Sequence, residues 1–187
     1  MRSHRILFRP VASQLDDVDI ALLGLLQEDA DRTNVDLARA VGLSPAATLH
    51  RVRRLKELGV VRRVTARLDP TLVGLPLQVY VSVTMVRNDP AATRGFVEAV
   101  REMPQVISAD WVAGETDAML LVVARDVAEL QAVLTRLATR GGQRLTTLLR
   151  LEEVKPASPL PLTAAGIAAA GRRAGDRAPR RRGPSPG

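Results

Sequence analysis

A chain of 187 residues, 46% hydrophobic and 25% charged, is long enough to bury the core of one medium domain or two small ones. It has no cysteine and only two histidines, His4 and His50. That excludes disulfides, thiolate metal sites and cysteine nucleophiles, and neither a metal nor a cofactor is expected. The longest apolar run, residues 118–124, is too short to span a membrane, and residues 1–14 hold no apolar stretch of signal-peptide length, so a cytoplasmic protein is expected.

Residues 1–14 read as a flexible extension with three arginines. A first helix is expected over residues 16–28, with Asp16, Asp17 and Asp19 at its dipole-favoured start and Leu15, Leu22, Leu23 and Leu26 as its apolar stripe. A second starts after Thr33, with Asp36 three residues on, and ends at Gly42. A third starts at Ser44-Pro45, an N-cap followed by proline, and ends at Gly59. Leu49, Val52, Leu55 and Leu58 are read as its buried side. Residues 60–67 alternate loosely as a strand, broken by Leu68-Asp69-Pro70. A short second helix, a tight turn and a basic third helix make a helix-turn-helix, and the strand behind it suggests a wing. The winged unit spans 15–67, and 68–76 is a linker.

Residues 77–155 read differently. Leu77, Val79, Val81, Val83 and Met85 alternate with polar neighbours as a half-buried strand. Asp89-Pro90 opens a helix stopped by Pro104, and strands follow over 106–112 and 118–124. Asp126 and Glu129 cap another helix, Gly141-Gly142 is a loop, and 145–154 is the last strand. The order βαββαβ is the ferredoxin-like plan. Fold class is therefore α+β, a winged helix-turn-helix followed by a ferredoxin-like domain. Helices cover one face of such a sheet, yet residues 118–124 are apolar throughout. The bare face is expected on a second chain, with cover by its own loops as the alternative. Residues 156–187, rich in Pro, Gly, Ala and Arg, read as a disordered tail in which 160–170 could form a transient helix.

Only two of the 27 basic residues are lysine, which GC-rich coding alone would produce, so location matters more than number. Residues 44–67 carry a net +6, against −5 for 15–43 and −2 for 68–155. That concentration is an electrostatic footprint for nucleic acid. Ala47, Thr48, His50 and Arg51 are expected nearest the bases of double-stranded DNA, and Arg53, Arg54 and Lys56 mostly on phosphates. Ser44 and the free N–H groups at the helix start could hold a phosphate. Arg62, Arg63 and Arg67 on the wing could reach backbone or minor groove. A solvated basic helix face and charges that protect a strand edge are the alternatives. The tail's arginines could add non-specific DNA affinity, or reflect composition alone.

Three stretches together resemble Lrp/AsnC regulators: Leu15-Asp16-Asp17-Val18-Asp19 with Leu22-Leu23 and Leu26-Gln27-Glu28-Asp29, then Val41-Gly42-Leu43-Ser44-Pro45, then Arg51-Val52-Arg53-Arg54-Leu55 with Leu58-Gly59-Val60-Val61. Gly114-Glu115-Thr116-Asp117 is similar to the family's glycine-acid-x-aspartate turn, and Leu151-Glu152-Glu153-Val154-Lys155 to its last strand. Glu115 stands where the family usually has aspartate, and Ala118 where an aromatic residue often follows. The resemblance implies a one-component transcription regulator that is no enzyme. It also implies a homodimer that often assembles further, commonly to octamers, and a small effector such as an amino acid bound between sensing domains. Gly114, Glu115, Thr116 and Asp117 become the effector-site candidates: a carboxylate can take an ammonium, and glycine lets a ligand approach the backbone. An ordinary hairpin turn is the alternative. Two other functions share the scaffold: an architectural nucleoid protein, and an enzyme resembling siroheme decarboxylases. The second is poorly equipped, since residues 68–155 hold no histidine or cysteine for acid–base work.

Overall fold

A computed structural model describes residues 14–86 and 89–167. The extension over 1–13 and the tail over 168–187 lie outside the described residues. The chain forms two compact units, one of residues Ala66–Pro156 and one that joins 14–65 to 157–167.

The first unit in sequence holds three helices: α1 (Asp17–Glu28), α2 (Asn34–Val41) and α3 (Pro45–Glu57). Each start is fixed by a side chain that takes an otherwise orphaned N–H. Asp16 accepts from Asp19 N at 2.8 Å, and Asp19 reciprocates to Asp16 N at 3.3 Å. Thr33 and Ser44 cap α2 and α3 through Asp36 N and Ala47 N. Gly42 takes the left-handed conformation, φ 70°, that lets α2 stop and the chain turn. The side-chain amide of Asn34 donates to Pro45 O at 2.8 Å and pins the start of α2 to the start of α3. Leu22, Leu23, Leu37, Val52 and Leu55 form the buried core.

The expected wing strand over 60–67 is not formed. Those residues have no ladder partner among the described residues and run as irregular backbone. A strand needs a second strand to take its N–H and C=O groups, and alternation alone does not supply one.

The second unit runs β1 (Leu77–Met85), α4 (Pro90–Glu102), β2 (Val106–Trp111), β3 (Ala118–Ala124), α5 (Val127–Thr139) and β4 (Gly142–Leu149). The sheet order is β2-β3-β1-β4 with every pair antiparallel, which is the expected ferredoxin-like plan. β1 and β3 pair at the centre, with Val81 opposite Leu120 and Val79 opposite Val122. These side chains share the face covered by α4 and α5 and pack with Phe96, Ala99, Val133 and Leu137. On β3, Val123 is buried within its own chain, while Met119 and Leu121 are half-buried.

Two boundaries of β4 differ from expectation. It begins at Gly142, because Arg140 and Gly141 complete the turn before it. Gly141 has φ +112°, and a Cβ there would sit 2.5 Å from Ala92 O. It ends at Leu149, with one further ladder bond from Arg150 N to Gln78 O at 2.9 Å. The stretch 151–155, expected as strand, runs out at the start of β1 and has no ladder partner among the described residues; Leu151 and Val154 are 90% and 95% exposed.

The tail also departs from its reading over residues 157–167. Leu160 exchanges two hydrogen bonds with the Gln27 side chain, at 2.7 Å and 3.3 Å. Leu162 packs against the helical core.

Candidate nucleic-acid interface and effector turn

The orientation of α3 decides what it can offer DNA. Thr48, Val52 and Leu55 are buried, so they mark its inward line. At about 100° per residue the opposite face carries Ala46, His50, Arg53 and Glu57, and all four are exposed. Ala47 and Lys56 are exposed on the flanks. Leu49, read as buried, is 39% exposed. The period of three that picked out Leu49, Val52, Leu55 and Leu58 drifts by about 60° per step and cannot keep one face. A period nearer 3.6 selects Thr48, Val52 and Leu55, and it was the signal that could have found them.

One expected DNA contact therefore needs correction, and two others are engaged in ion pairs within the protein. Thr48 is fully buried, and its Oγ1 has no hydrogen-bond partner among the described residues, so it faces the protein and not a base. Arg51 lies beside α1, donating to Asp16 at 2.7 Å and to Asp19 at 3.0 Å. Arg54 donates to Asp19 at 3.0 Å and to Gln14 O at 2.7 Å. Asp19 is itself fully buried, and a carboxylate out of water needs such partners. The Asp16 carboxyl is held below its ordinary range, first by the Asp19 N–H and then by Arg51. Arg51 is correspondingly raised, first by Asp16 and then by Asp19.

The remaining cations are free for an external anion. Arg53, Lys56, Arg62 and Arg63 are exposed, and none is in an ion pair among the described residues. Arg67 is different, since it pairs with Glu153 at 2.9 Å. The Ser44 hydroxyl oxygen accepts from Ala47 N at 3.2 Å, which leaves its own proton to donate. Cationic groups, a histidine and two small alanines on one convex helix face suit entry into a major groove.

The turn between β2 and β3 divides its four residues between two tasks. Thr116 donates its hydroxyl to Val83 O at 2.9 Å, and Asp117 N donates to the same carbonyl at 2.9 Å. The Asp117 carboxylate accepts from Met85 N at 2.8 Å. These bonds tie the turn to the end of β1. Gly114, with φ +149° and open space around it, and the exposed Glu115 stand clear. Trp111, just before the turn, sits 5.9 Å from Phe96 in a tilted ring contact and is half exposed, so it packs on α4. No group of three acidic, histidine or cysteine side chains among the described residues could hold a metal, and no described helix is long and apolar enough to cross a membrane.

Family models match both units: the AsnC-type helix-turn-helix domain over residues 15–56 and the Lrp/AsnC ligand binding domain over residues 78–160. The HTH-type transcriptional regulator AldR of Mycolicibacterium smegmatis is 39% identical over 151 residues, spanning 80% of this chain and 88% of AldR. The chain belongs to the Lrp/AsnC family of transcriptional regulators. The leucine-responsive regulatory protein of Haemophilus influenzae is 36% identical over 75% of this chain and 86% of its own. Among solved structures, a transcriptional regulator from Neisseria meningitidis in complex with L-Met superposes with a TM-score of 0.75 at 35% identity. It covers 81% of this chain and 99% of its own. The helix-turn-helix match ends within α3, so the family resemblance in that unit rests on the three helices whose caps and core are described above.

Proposed function

We propose that this Lrp/AsnC-family chain is a sequence-specific regulator that reads duplex DNA with Ala46, Ala47, His50 and Arg53 of α3. Lys56, Arg62, Arg63 and the Ser44 hydroxyl hold phosphates. The carrying observation is the division of charge on α3: Arg51 and Arg54 are spent on Asp16 and Asp19, while the opposite face keeps its cations unpaired. An amino acid or related metabolite modulates the protein at Gly114 and Glu115, with Asp117 shaping the turn. The L-Met complex of the Neisseria relative supports that ligand class. The protein works as a homodimer or a larger assembly such as an octamer, in the cytoplasm. The supporting observation is apolar surface that one chain leaves in water: Leu148 and Leu149 are more than half exposed, and Leu151 and Val154 almost fully so.

Gel shifts on the protein's own promoter and on scrambled DNA, across salt concentrations and with each of the twenty amino acids, test this reading. We expect a preference of at least about a thousandfold for the promoter and a change in that affinity with one amino acid or a small set. Equal affinity for both DNAs would instead assign an architectural role.

A further inference from the structure

The chain crosses between its two units twice, at residues 65–66 and again after Pro156. On the side of the sheet unit the two crossings are clasped together. Glu153 accepts from Arg67 at 2.9 Å and from Arg150 at 2.6 Å, and Arg150 also donates to the Gln78 side-chain oxygen at 2.8 Å. On the other side the returning chain is held by α1. Leu160 lies between Pro159 and Pro161, which have no N–H, so it carries the one backbone donor of the three. That N–H donates to the Gln27 side-chain oxygen at 2.7 Å, and the Gln27 amide donates back to Leu160 O at 3.3 Å. The proline after Leu160 restricts it to extended backbone, so less conformational freedom is lost when it docks. Leu162 is half-buried against the helical core. Thr163 then starts a helical turn, its Oγ1 accepting from Gly166 N at 3.1 Å and its carbonyl from Ile167 N at 3.0 Å. The family model for the ligand binding domain stops at residue 160, so the Leu162 anchor is a feature of this chain beyond the family match.

We propose that residues 157–167 are a strap that gives the DNA-binding unit a second hold on the sheet unit and limits how far it can swing. The first hold is the backbone at residues 65–66. A body joined at one point swings widely, and a second tie removes most of that freedom. The tie is short. Leu160, fixed by Gln27, is seven residues beyond Glu153, fixed by the clasp, a span of at most about 25 Å. The strap's hydrogen bonds and its Leu162 anchor involve α1 and the helical core, and Ala46, His50 and Arg53 stay exposed on the outward face of α3. The strap therefore leaves the face proposed for DNA open. A regulator that grips two half-sites needs a set distance between its reading helices, so a narrower swing means fewer half-site spacings bridged. That consequence rests on the DNA-binding reading above; the strap itself does not.

The test places two spin labels on the full-length chain, which has no cysteine of its own, at Val35→Cys on α2 and Val127→Cys on α5, both exposed. Labelled chains are diluted into unlabelled ones, so that only distances within one chain are read. Double electron–electron resonance and hydrogen exchange are compared for three proteins: the labelled chain otherwise unchanged, the same with Gln27→Ala, and the same with Gln27→Ala and Leu162→Ala. We expect one narrow distance distribution in the first, a broader one in Gln27→Ala and the broadest in the double variant. Amides of residues 157–167 should be protected in the first protein and exchange about five- to thirtyfold faster in the double variant, while those of β1 and β3 keep their rates. Gln27→Ala leaves every core side chain in place, so broadening there does not come from a damaged core. Equally broad distributions in all three proteins would overturn the limit on swing. Amides of 157–167 that exchange freely in the first protein would overturn the strap, and Gln27→Ala indistinguishable from it by both measurements would overturn the part given to Gln27. No DNA and no amino acid enters the measurement, so its failure and the failure of the DNA-binding reading are separate results.

Discussion

The variant carrying both Arg51→Ala and Arg54→Ala is expected to lose about 3–5 kcal/mol of stability in its DNA-binding unit. Asp19 is fully buried and its two oxygens are taken by these two guanidinium groups. Removing both leaves a carboxylate out of water with no cation, and the unit's stability is of the same order as that penalty. Either substitution alone costs less, because the other arginine still neutralises Asp19 and both are about a third exposed. Acid acts in the same direction through Asp16. Its folded-state pKa is depressed, so its contribution is complete above the ordinary carboxylate range and is lost as pH falls through the lowered value. Urea titrations followed by circular dichroism at neutral pH and near pH 3 measure both effects. A double variant as stable as the natural protein would show that the ion pairs with Asp19 contribute nothing.

Arg53→Ala is expected to weaken promoter binding by about 1–3 kcal/mol, roughly five- to 150-fold, with little change in stability. Arg53 is exposed on the outward face of α3 and has no ion-pair partner among the described residues. The way the loss distributes tells its role. Loss confined to the natural operator means a base contact, whereas uniform loss with a salt slope shallower by about 1 means a phosphate contact. Thr48→Val serves as the control, since that hydroxyl is buried and unpaired. It should bind as the natural chain does. Anisotropy on promoter and scrambled DNA gives both numbers, and loss of binding in Thr48→Val without unfolding would reverse the orientation assigned to α3.

Much of the fold was legible because caps are local. Asp16, Thr33, Ser44, Asp89 and Asp126 each announce a helix start in sequence and each accepts the expected backbone N–H. The alternation over 77–85 likewise became the central strand β1. Leu49 was misread through a wrong helical period, and the other misreadings turn on partners, present or missing, that lie far away in sequence. Residues 60–67 alternate loosely and 151–155 are similar to a family strand, but sequence shows propensity and not the neighbour that completes a ladder. The acids near residue 17 and the arginines near residue 52 each had a complete local explanation, helix dipole for one and DNA for the other. Their actual use is mutual, across a separation of 32 to 35 residues. Leu162 sits in a Pro- and Ala-rich stretch with no periodicity to mark it, so its docking on the helical core left no sequence signal. The face proposed for DNA was legible only in part. Ala47, His50, Arg53 and Lys56 remain on the exposed side, and Ala46 joins them once Thr48 is turned inward.

The claim on which the account depends is that the face of α3 bearing Ala46, His50 and Arg53 enters a DNA groove. The natural chain has no cysteine, so Ala46→Cys gives one thiol on which to mount an iron chelate that cuts DNA locally. On the protein's own operator it should cut within the bound site, and the cysteine-free natural chain treated with the same reagent should not. Binding retained with no cleavage from position 46 would contradict the account.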